Sequence, residues 1–205
     1  SIIVATGDTK QKIADLIKDK APGNAAHIES SAAFLVYCID YSNIKLSFDI
    51  EGGDFDISNQ YEPLLIGSMD VGIAMQNAAL AAESLGYGIV YCGGVRGFAN
   101  GISELLNIPK NALFLCGLSI GVIDEEKSTE KVKPRLPHEA NVGYNEFPKS
   151  NEEVLKQYRQ TMIDFAEARE TKTWTKKFAD FYAQPSGIEA VTKELLEKNG
   201  FVSKK

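Results

Sequence analysis

Two segments of the chain carry residues suited to holding a ligand, and neither contains an acid–base pair. The first is V-Y-C-G-G-V-R at residues 90–96, where an apolar strand runs into Gly93 and Gly94. Glycine lets a backbone take unusual dihedral angles, and it lets a flat or charged ligand approach without a Cβ in the way. The same pattern is typical of a tight turn after a strand, so both interpretations stand.

The second segment is K-V-K-P-R-L-P at residues 131–137, which two prolines stiffen. Pro134 favours an extended conformation at Lys133, and residues two apart in an extended chain point to the same side. Lys133 and Arg135 can therefore hold one phosphate or carboxylate together, the arginine through a planar fork and the lysine as a point charge. The alternative is a solvated basic loop that offsets the acidic stretch 124–126.

Other catalytic chemistry finds little support in the sequence. It contains no G-x-S-x-G, Walker A or H-E-x-x-H motif. Two histidines without a close cluster of soft ligands predict that there is no conventional zinc site. Each of Cys38, Cys92 and Cys116 lies in an apolar run, where cysteine behaves as a small buried hydrophobe, so we expect a reducing, cytoplasmic compartment. A bound organic cofactor that supplies the chemistry is the natural alternative.

The composition is that of a globular protein. The 205 residues are 44% hydrophobic and 24% charged, which excludes a mainly disordered chain. A net charge of −6 argues against nucleic acid as the main partner. No stretch has the composition of a linker, so residues 1–205 are predicted to form a single domain.

The elements that position the two segments follow from apolar patterning. Four apolar runs predict strands over 2–5, 33–39, 89–92 and 112–120. Residues 41–61 mix polar and apolar side chains around two glycines and predict a loop. The more polar last third predicts a helical extension over about 150–200. Helices that alternate with strands indicate an α+β or α/β class and leave the strand order open.

A long helix is predicted over about 63–85, with apolar residues around most of its circumference. This pattern predicts a helix buried on several sides rather than an amphipathic surface helix. It is either the central helix of a monomer or a helix that also packs at a subunit interface. A membrane span is not expected, because four polar or charged residues interrupt the apolar run: Asp70, Gln76, Asn77 and Glu83.

Three stretches together resemble the nitroreductase superfamily, in particular its branch of NADPH-dependent flavin reductases and oxygen-insensitive nitroreductases. They are Q-N-A-x-x-A-A-E-S-L-G at 76–86, the run at 90–96 and K-P-R-L-P at 133–137, and the resemblance extends from Ser1 to about Phe201. It implies an α+β sandwich with a mainly antiparallel sheet flanked by helices. It also implies an intertwined homodimer with FMN at the subunit interface.

The resemblance assigns cofactor-binding residues by position. The stretch whose backbone lies along the flavin ring near N5 is matched by Tyr91, Cys92, Gly93 and Gly94. The basic pair that holds the FMN phosphate is matched by Lys133 and Arg135.

In this branch, discrimination in favour of NADPH is tied to the C-terminal extension. Arg169 and Lys172 are the candidates for binding the 2′-phosphate. No catalytic side chain is assigned, because positioning and the electronics of the flavin supply most of the rate.

The activity that the resemblance implies is ping-pong hydride transfer from NADPH, through flavin N5, to a nitroaromatic, a quinone or free flavin. An NADH-using relative is a further option. The family's N-terminal helix, with an Arg-Ser-x-Arg motif that also grips the phosphate, would lie before Ser1, so we expect a segment to precede Ser1 in the full-length protein. The alternative is a flavin-binding or dimeric scaffold protein without turnover, because that segment is missing.

Overall fold

The computed structural model describes residues 1–126, 128, 132–148, 151–166 and 172–203. The chain divides into two compact units. Unit 1 comprises Ser1–Asp124 with Gly187–Lys205, and unit 2 comprises Glu125–Ser186. The single domain over 1–205 stays a prediction.

Unit 1 is built on an antiparallel sheet with the strand order β1-β2-β4-β3. The strands are β1 (Ile2–Ala5), β2 (Ala33–Asp40), β3 (Tyr87–Cys92) and β4 (Ala112–Val122). All three neighbouring pairs are antiparallel, which confirms the α+β class with a mainly antiparallel sheet. All four predicted runs are strands, because four short apolar segments with β-branched and aromatic residues favour a half-buried pleated surface.

The helices, in chain order, flank this sheet or belong to unit 2. They are α1 (Gly7–Ile17), α2 (Pro22–Ser30), α3 (Ser42–Glu51), α4 (Glu62–Ser84), α5 (Ala99–Leu105), α6 (His138–Asn141), α7 (Glu152–Ala166), α8 (Trp174–Ala183) and α9 (Gly187–Lys198). A 3-10 helix over Gly93–Phe98 joins β3 to α5. Of these helices, α6, α7 and α8 belong to unit 2.

The core of unit 1 lies on the two central strands. Phe34 and Val36 of β2 and Phe114 and Leu118 of β4 are all at most 2% exposed. These strands have a neighbour on each side, so their backbone groups are paired within the sheet.

The prediction of a loop over 41–61 is wrong for the first half of that segment, which forms α3. Lys45 pairs with the Asp49 carboxylate at 2.7 Å, one turn further along the helix. Gly52 follows in the left-handed region with φ 71°, which ends the helix. The two glycines therefore mark a helix end, whereas the sequence pattern indicated the middle of a loop.

Helix α4 buries one stripe of small and medium-sized residues. Its buried positions are Pro63, Gly67, Val71, Met75, Ala79 and Ala82. A Cβ on Gly67 would lie 2.4 Å from Cγ2 of Ile39 in β2, so glycine permits the close approach of helix and sheet.

The prediction that α4 is buried on several sides is wrong for the single chain. Its opposite face carries large apolar side chains that are between 46% and 70% exposed: Leu65, Ile66, Met69, Ile73 and Leu80. Apolar residues all around a helix indicate burial, but they do not tell whether the chain itself covers every side. By length and hydropathy alone α4 could also cross a membrane, a property it shares with packed helices of soluble proteins.

Unit 2 contains α7 and α8, which match the predicted helical extension over the residues that the structure describes. Residues 149–150 and 167–171 lie outside that part. The Trp174 ring contacts the rings of Tyr158 and Phe178, with centroids 5.1 and 4.7 Å apart. These contacts make an aromatic cluster that joins α7 to α8.

Candidate functional site

The glycine pair lies at the end of β3, between two buried side chains. Cys92, the last residue of β3, lies opposite Gly117 of β4 and is fully buried. Val95, in the first turn of the 3-10 helix, is also fully buried. Gly93 and Gly94 stand between these anchors, so the backbone there is held from both sides.

The two glycines meet different surroundings. Neither has a positive φ, so unusual dihedral angles do not explain them. A Cβ on Gly94 would lie 3.1 Å from Nδ2 of Asn24 in α2, so packing within the chain explains that glycine. A Cβ on Gly93 would meet no heavy atom within 4 Å beyond its own neighbours along the chain. The Gly93 backbone is therefore open to a ligand, and the pair forms the start of a 3-10 helix rather than an isolated tight turn.

Tyr91 faces α4 and is 44% exposed. Its hydroxyl donates a hydrogen bond to Oε1 of Gln76 at 2.8 Å. Burial raises the pKa of Tyr91, and the nearby Glu83 and Cys116 raise it further. The phenol is therefore protonated at neutral pH and stays a donor.

Cys92 has the surroundings of a structural thiol. Burial raises its pKa, and its Sγ lies 3.7 Å from the Ser119 hydroxyl. Burial likewise raises the pKa of Cys38 to about 11. Both thiols are neutral at physiological pH and are poor nucleophiles.

The basic segment of unit 2 presents its two cations to solvent. Lys133 and Arg135 are both exposed, and Nη1 of Arg135 donates to the Lys133 carbonyl at 2.9 Å. The Tyr158 hydroxyl donates to the Pro134 carbonyl at 3.1 Å, which ties the segment to α7. Within the ranges that the structure describes, neither cation pairs with a carboxylate, so the Lys133 ammonium and the remaining donors of Arg135 are available to an anion.

Lys172 already has an acidic partner within the protein, unlike a lysine that is free to bind a phosphate. Its Nζ donates to Oδ2 of Asp180 at 2.9 Å, and Lys176 binds the other carboxylate oxygen. Hydrogen bonds from Lys172 and Lys176 lower the pKa of Asp180. The other candidate for the 2′-phosphate, Arg169, lies outside the described residues.

The predicted residues fit the two chemically distinct parts of FMN. A flat ring needs a backbone that it can approach, and Gly93 of unit 1 provides one. A phosphate needs cationic donors, and Lys133 and Arg135 of unit 2 are exposed cations.

Two side chains that contact the 91–94 stretch are not marked by any sequence pattern as part of a site. Asn24 belongs to α2, which was not predicted, although Pro22 at its first position is a typical helix start. Gln76 lies in one of the stretches that carry the resemblance, but its bond to Tyr91 joins residues fifteen positions apart. Only the packing of α4 on β3 reveals that contact.

Comparisons with known proteins agree with the family resemblance of the sequence. The sequence model of the nitroreductase family matches residues 1–122, and that of its C-terminal domain matches residues 133–204. A Cr(VI) reductase of a Pseudomonas species is 35% identical over 206 residues, which cover 98% of this chain and 81% of that protein. An FMN reductase (NAD(P)H) of Bacillus subtilis is 34% identical over 208 residues, which cover 98% of this chain and 79% of that protein.

Solved structures give the same result. The NADPH:FMN oxidoreductase of Vibrio harveyi, complexed with NAD+, superposes with a TM-score of 0.82 at 33% identity. The match covers 100% of this chain and 80% of that one. The chain therefore belongs to the nitroreductase family.

Proposed function

We propose that this protein is an NADPH-dependent FMN oxidoreductase of the nitroreductase or flavin reductase type. The relatives named FMN reductase and NADPH:FMN oxidoreductase support both the cofactor and the co-substrate. The observation that carries the proposal is the open backbone at Gly93, where an added Cβ would meet no distant part of the chain within 4 Å.

Each proposed cofactor contact uses a different chemical property. The flavin ring would be held along the backbone of Tyr91, Cys92, Gly93 and Gly94. Lys133 and Arg135 hold the phosphate, each through a charge-assisted hydrogen bond worth about 1.5–3 kcal/mol. Bound FMN would supply a two-electron carrier between NADPH and an acceptor, by hydride transfer through flavin N5 in a ping-pong sequence. The acceptors are nitroaromatics, quinones or free flavin.

The protein also forms a homodimer through α4 in this proposal. The large apolar side chains on the outer face of α4 support it, because exposed apolar surface of this kind marks an interaction site. A second copy of the chain covers that face and brings the intertwined arrangement that the resemblance implies. Ile73→Glu places a charge in the middle of the face, and sedimentation is expected to show a monomer.

Three cysteines without disulfide partners support a reducing, cytoplasmic location. The oxidation state of the thiols in protein isolated under alkylating conditions tests it. Complete alkylation of the unfolded protein without prior reduction is the expected result.

The enzyme proposal is tested by mixing the purified full-length protein with FMN and then with NADPH under anaerobic conditions. Loss of the visible flavin absorbance is the expected result. A yellow protein that NADPH does not bleach would instead be a flavin-binding scaffold without turnover. A protein that binds no FMN would contradict the cofactor assignment.

The open backbone is tested by Gly93→Ala. The added methyl occupies space that the ring is proposed to use, so FMN affinity is expected to fall by about tenfold while the melting temperature stays unchanged. Gly97→Ala, in the same 3-10 helix, is the matched control, since a Cβ there makes an ordinary 3.6 Å contact with Ile188 of α9. Equal FMN affinity in the two variants would exclude Gly93 from the site.

A further inference from the structure

We infer that Gln76 of α4 donates a hydrogen bond to the bound flavin and that Tyr91 is the positioning residue that orients its carboxamide. The inference rests on the proposed function. Its basis is the 2.8 Å bond from the Tyr91 hydroxyl to Oε1 of Gln76, which joins α4 to β3 two residues before Gly93.

The hydrogen bond sets which end of the amide is available. A carboxamide has an oxygen that accepts and an NH2 group that donates. Tyr91 occupies the oxygen, and Nε2 of Gln76 has no hydrogen-bond partner in the part of the chain that the structure describes. The Gln76 side chain is also exposed, so its two N–H donors are accessible to a ligand.

The place of Gln76 on α4 gives a second reason to look for a ligand. It is the polar member of an otherwise apolar row on the exposed face, at helical spacing with Leu65, Met69, Ile73 and Leu80. Once a second copy covers this face, a polar group without a partner is costly. Tyr91 satisfies only the oxygen, which leaves the NH2 group for a further acceptor.

A flavin carbonyl is a suitable acceptor, and its charge changes during the reaction. Reduction places additional negative charge near N1 and the C2 carbonyl of the ring. Hydrogen bonds to a charged acceptor are about twice as strong as those to a neutral one. A Gln76 donor therefore binds reduced FMN more strongly than oxidised FMN, which raises the reduction potential of the bound cofactor.

The test measures the affinities of Gln76→Leu and Tyr91→Phe for oxidised and for reduced FMN, with the dimer checked by sedimentation. Gln76→Leu is expected to weaken oxidised FMN by about tenfold and reduced FMN by more, so the potential of bound FMN becomes more negative. Tyr91→Phe is expected to weaken the binding of oxidised and of reduced FMN in the same way but by less, because the Gln76 amide remains but is no longer oriented. Added to Gln76→Leu, it has no further effect.

Two features separate this role from a structural one. Leucine makes the exposed face more apolar, so loss of the dimer cannot explain weaker FMN binding by Gln76→Leu. Asn77→Leu is the matched control, because Asn77 is the next exposed amide on α4 and takes no part in the bond to Tyr91. It is expected to bind both forms of FMN like the unsubstituted protein.

Gln76→Glu is a second variant of nearly the same shape. It keeps an acceptor for Tyr91, removes the NH2 donors and adds a negative charge, so it is expected to lower the potential further than Gln76→Leu. Unchanged affinities in both Gln76 variants would overturn the inference, as would equal weakening of oxidised and reduced FMN. If the unsubstituted protein binds no FMN, the proposed function fails instead.

Discussion

Unit 2 contains two pairs of basic residues that differ in what surrounds them. Lys133 and Arg135 stand two apart in a proline-stiffened segment, and no carboxylate pairs with either among the described residues. Lys172 and Lys176 flank the carboxylate of Asp180 and both bind it. The number of positive charges is the same, but only the first pair has its donors available for a phosphate.

The difference comes from local backbone geometry. Asp180 lies four residues after Lys176 on α8, so the two side chains meet on one helix face. The segment around Pro134 lies outside any helix or strand, and its polar contacts are to backbone carbonyls, from Tyr158 and from Arg135 itself. A basic pair is therefore an anion site only where the fold leaves it without an internal acid.

The largest expected effect comes from the double variant Lys133→Ala/Arg135→Ala. Loss of two charge-assisted hydrogen bonds is expected to weaken FMN binding by about 100-fold or more. Riboflavin, which lacks the phosphate, should bind the variant and the unsubstituted protein equally. Fluorescence titration measures both affinities.

The matched control for that experiment is Lys172→Ala/Lys176→Ala, which removes the same number of charges from unit 2. It is expected to leave FMN affinity unchanged. If FMN affinity falls equally in both double variants, the phosphate contact is not specific to Lys133 and Arg135, and the proposed difference between the two pairs is wrong.

Tyr158→Phe tests how firmly the first pair is held. The variant keeps the aromatic ring against Trp174 but removes the hydrogen bond to the Pro134 carbonyl. Because one such bond contributes about 1 kcal/mol, we expect FMN affinity to fall by up to about fivefold. Titration with FMN measures the change, and a gain in affinity would show that the tether opposes binding.

Asp180→Asn tests the second pair by releasing its lysines. If Lys172 binds the 2′-phosphate, as the resemblance implies, the KM for NADPH is expected to fall by a few-fold at most, because exposed ion pairs are weak. The KM for NADH, which has no 2′-phosphate, should not change. Steady-state kinetics with both nucleotides measures the ratio of the two KM values. A parallel change in the KM for NADPH and the KM for NADH would exclude Lys172 from this role.

The smallest effect concerns pH. The pKa of Asp180 is lower in the folded protein, so its contribution to stability is present above the ordinary aspartate pKa and is lost as pH falls through the folded value. The melting temperatures of the unsubstituted protein and Asp180→Asn are therefore expected to differ slightly at neutral pH and to converge in acid. Calorimetry across that range measures the difference, and divergence in acid would contradict the assigned pairing.

The strands were predictable because each is a compact apolar run, whereas their order was not. The pairing of β2 with β4 joins residues about eighty positions apart, and no local pattern encodes that partner. The α3 helix was missed because its apolar residues do not follow a helical stripe; none of its residues is buried. Its helical state depends on local pairs such as Lys45 with Asp49 and on the stop at Gly52.

The amino-acid sequence by itself identified the glycine pair, the basic segment and the family resemblance, because each depends on residue types that are adjacent in the chain. Tertiary structure alone distinguished Gly93 from Gly94, showed which face of α4 is exposed, and joined Gln76 to Tyr91. These features depend on which atoms of distant segments come within a few ångströms of each other. Spacing along the chain carries no such information once a contact crosses from one element to another.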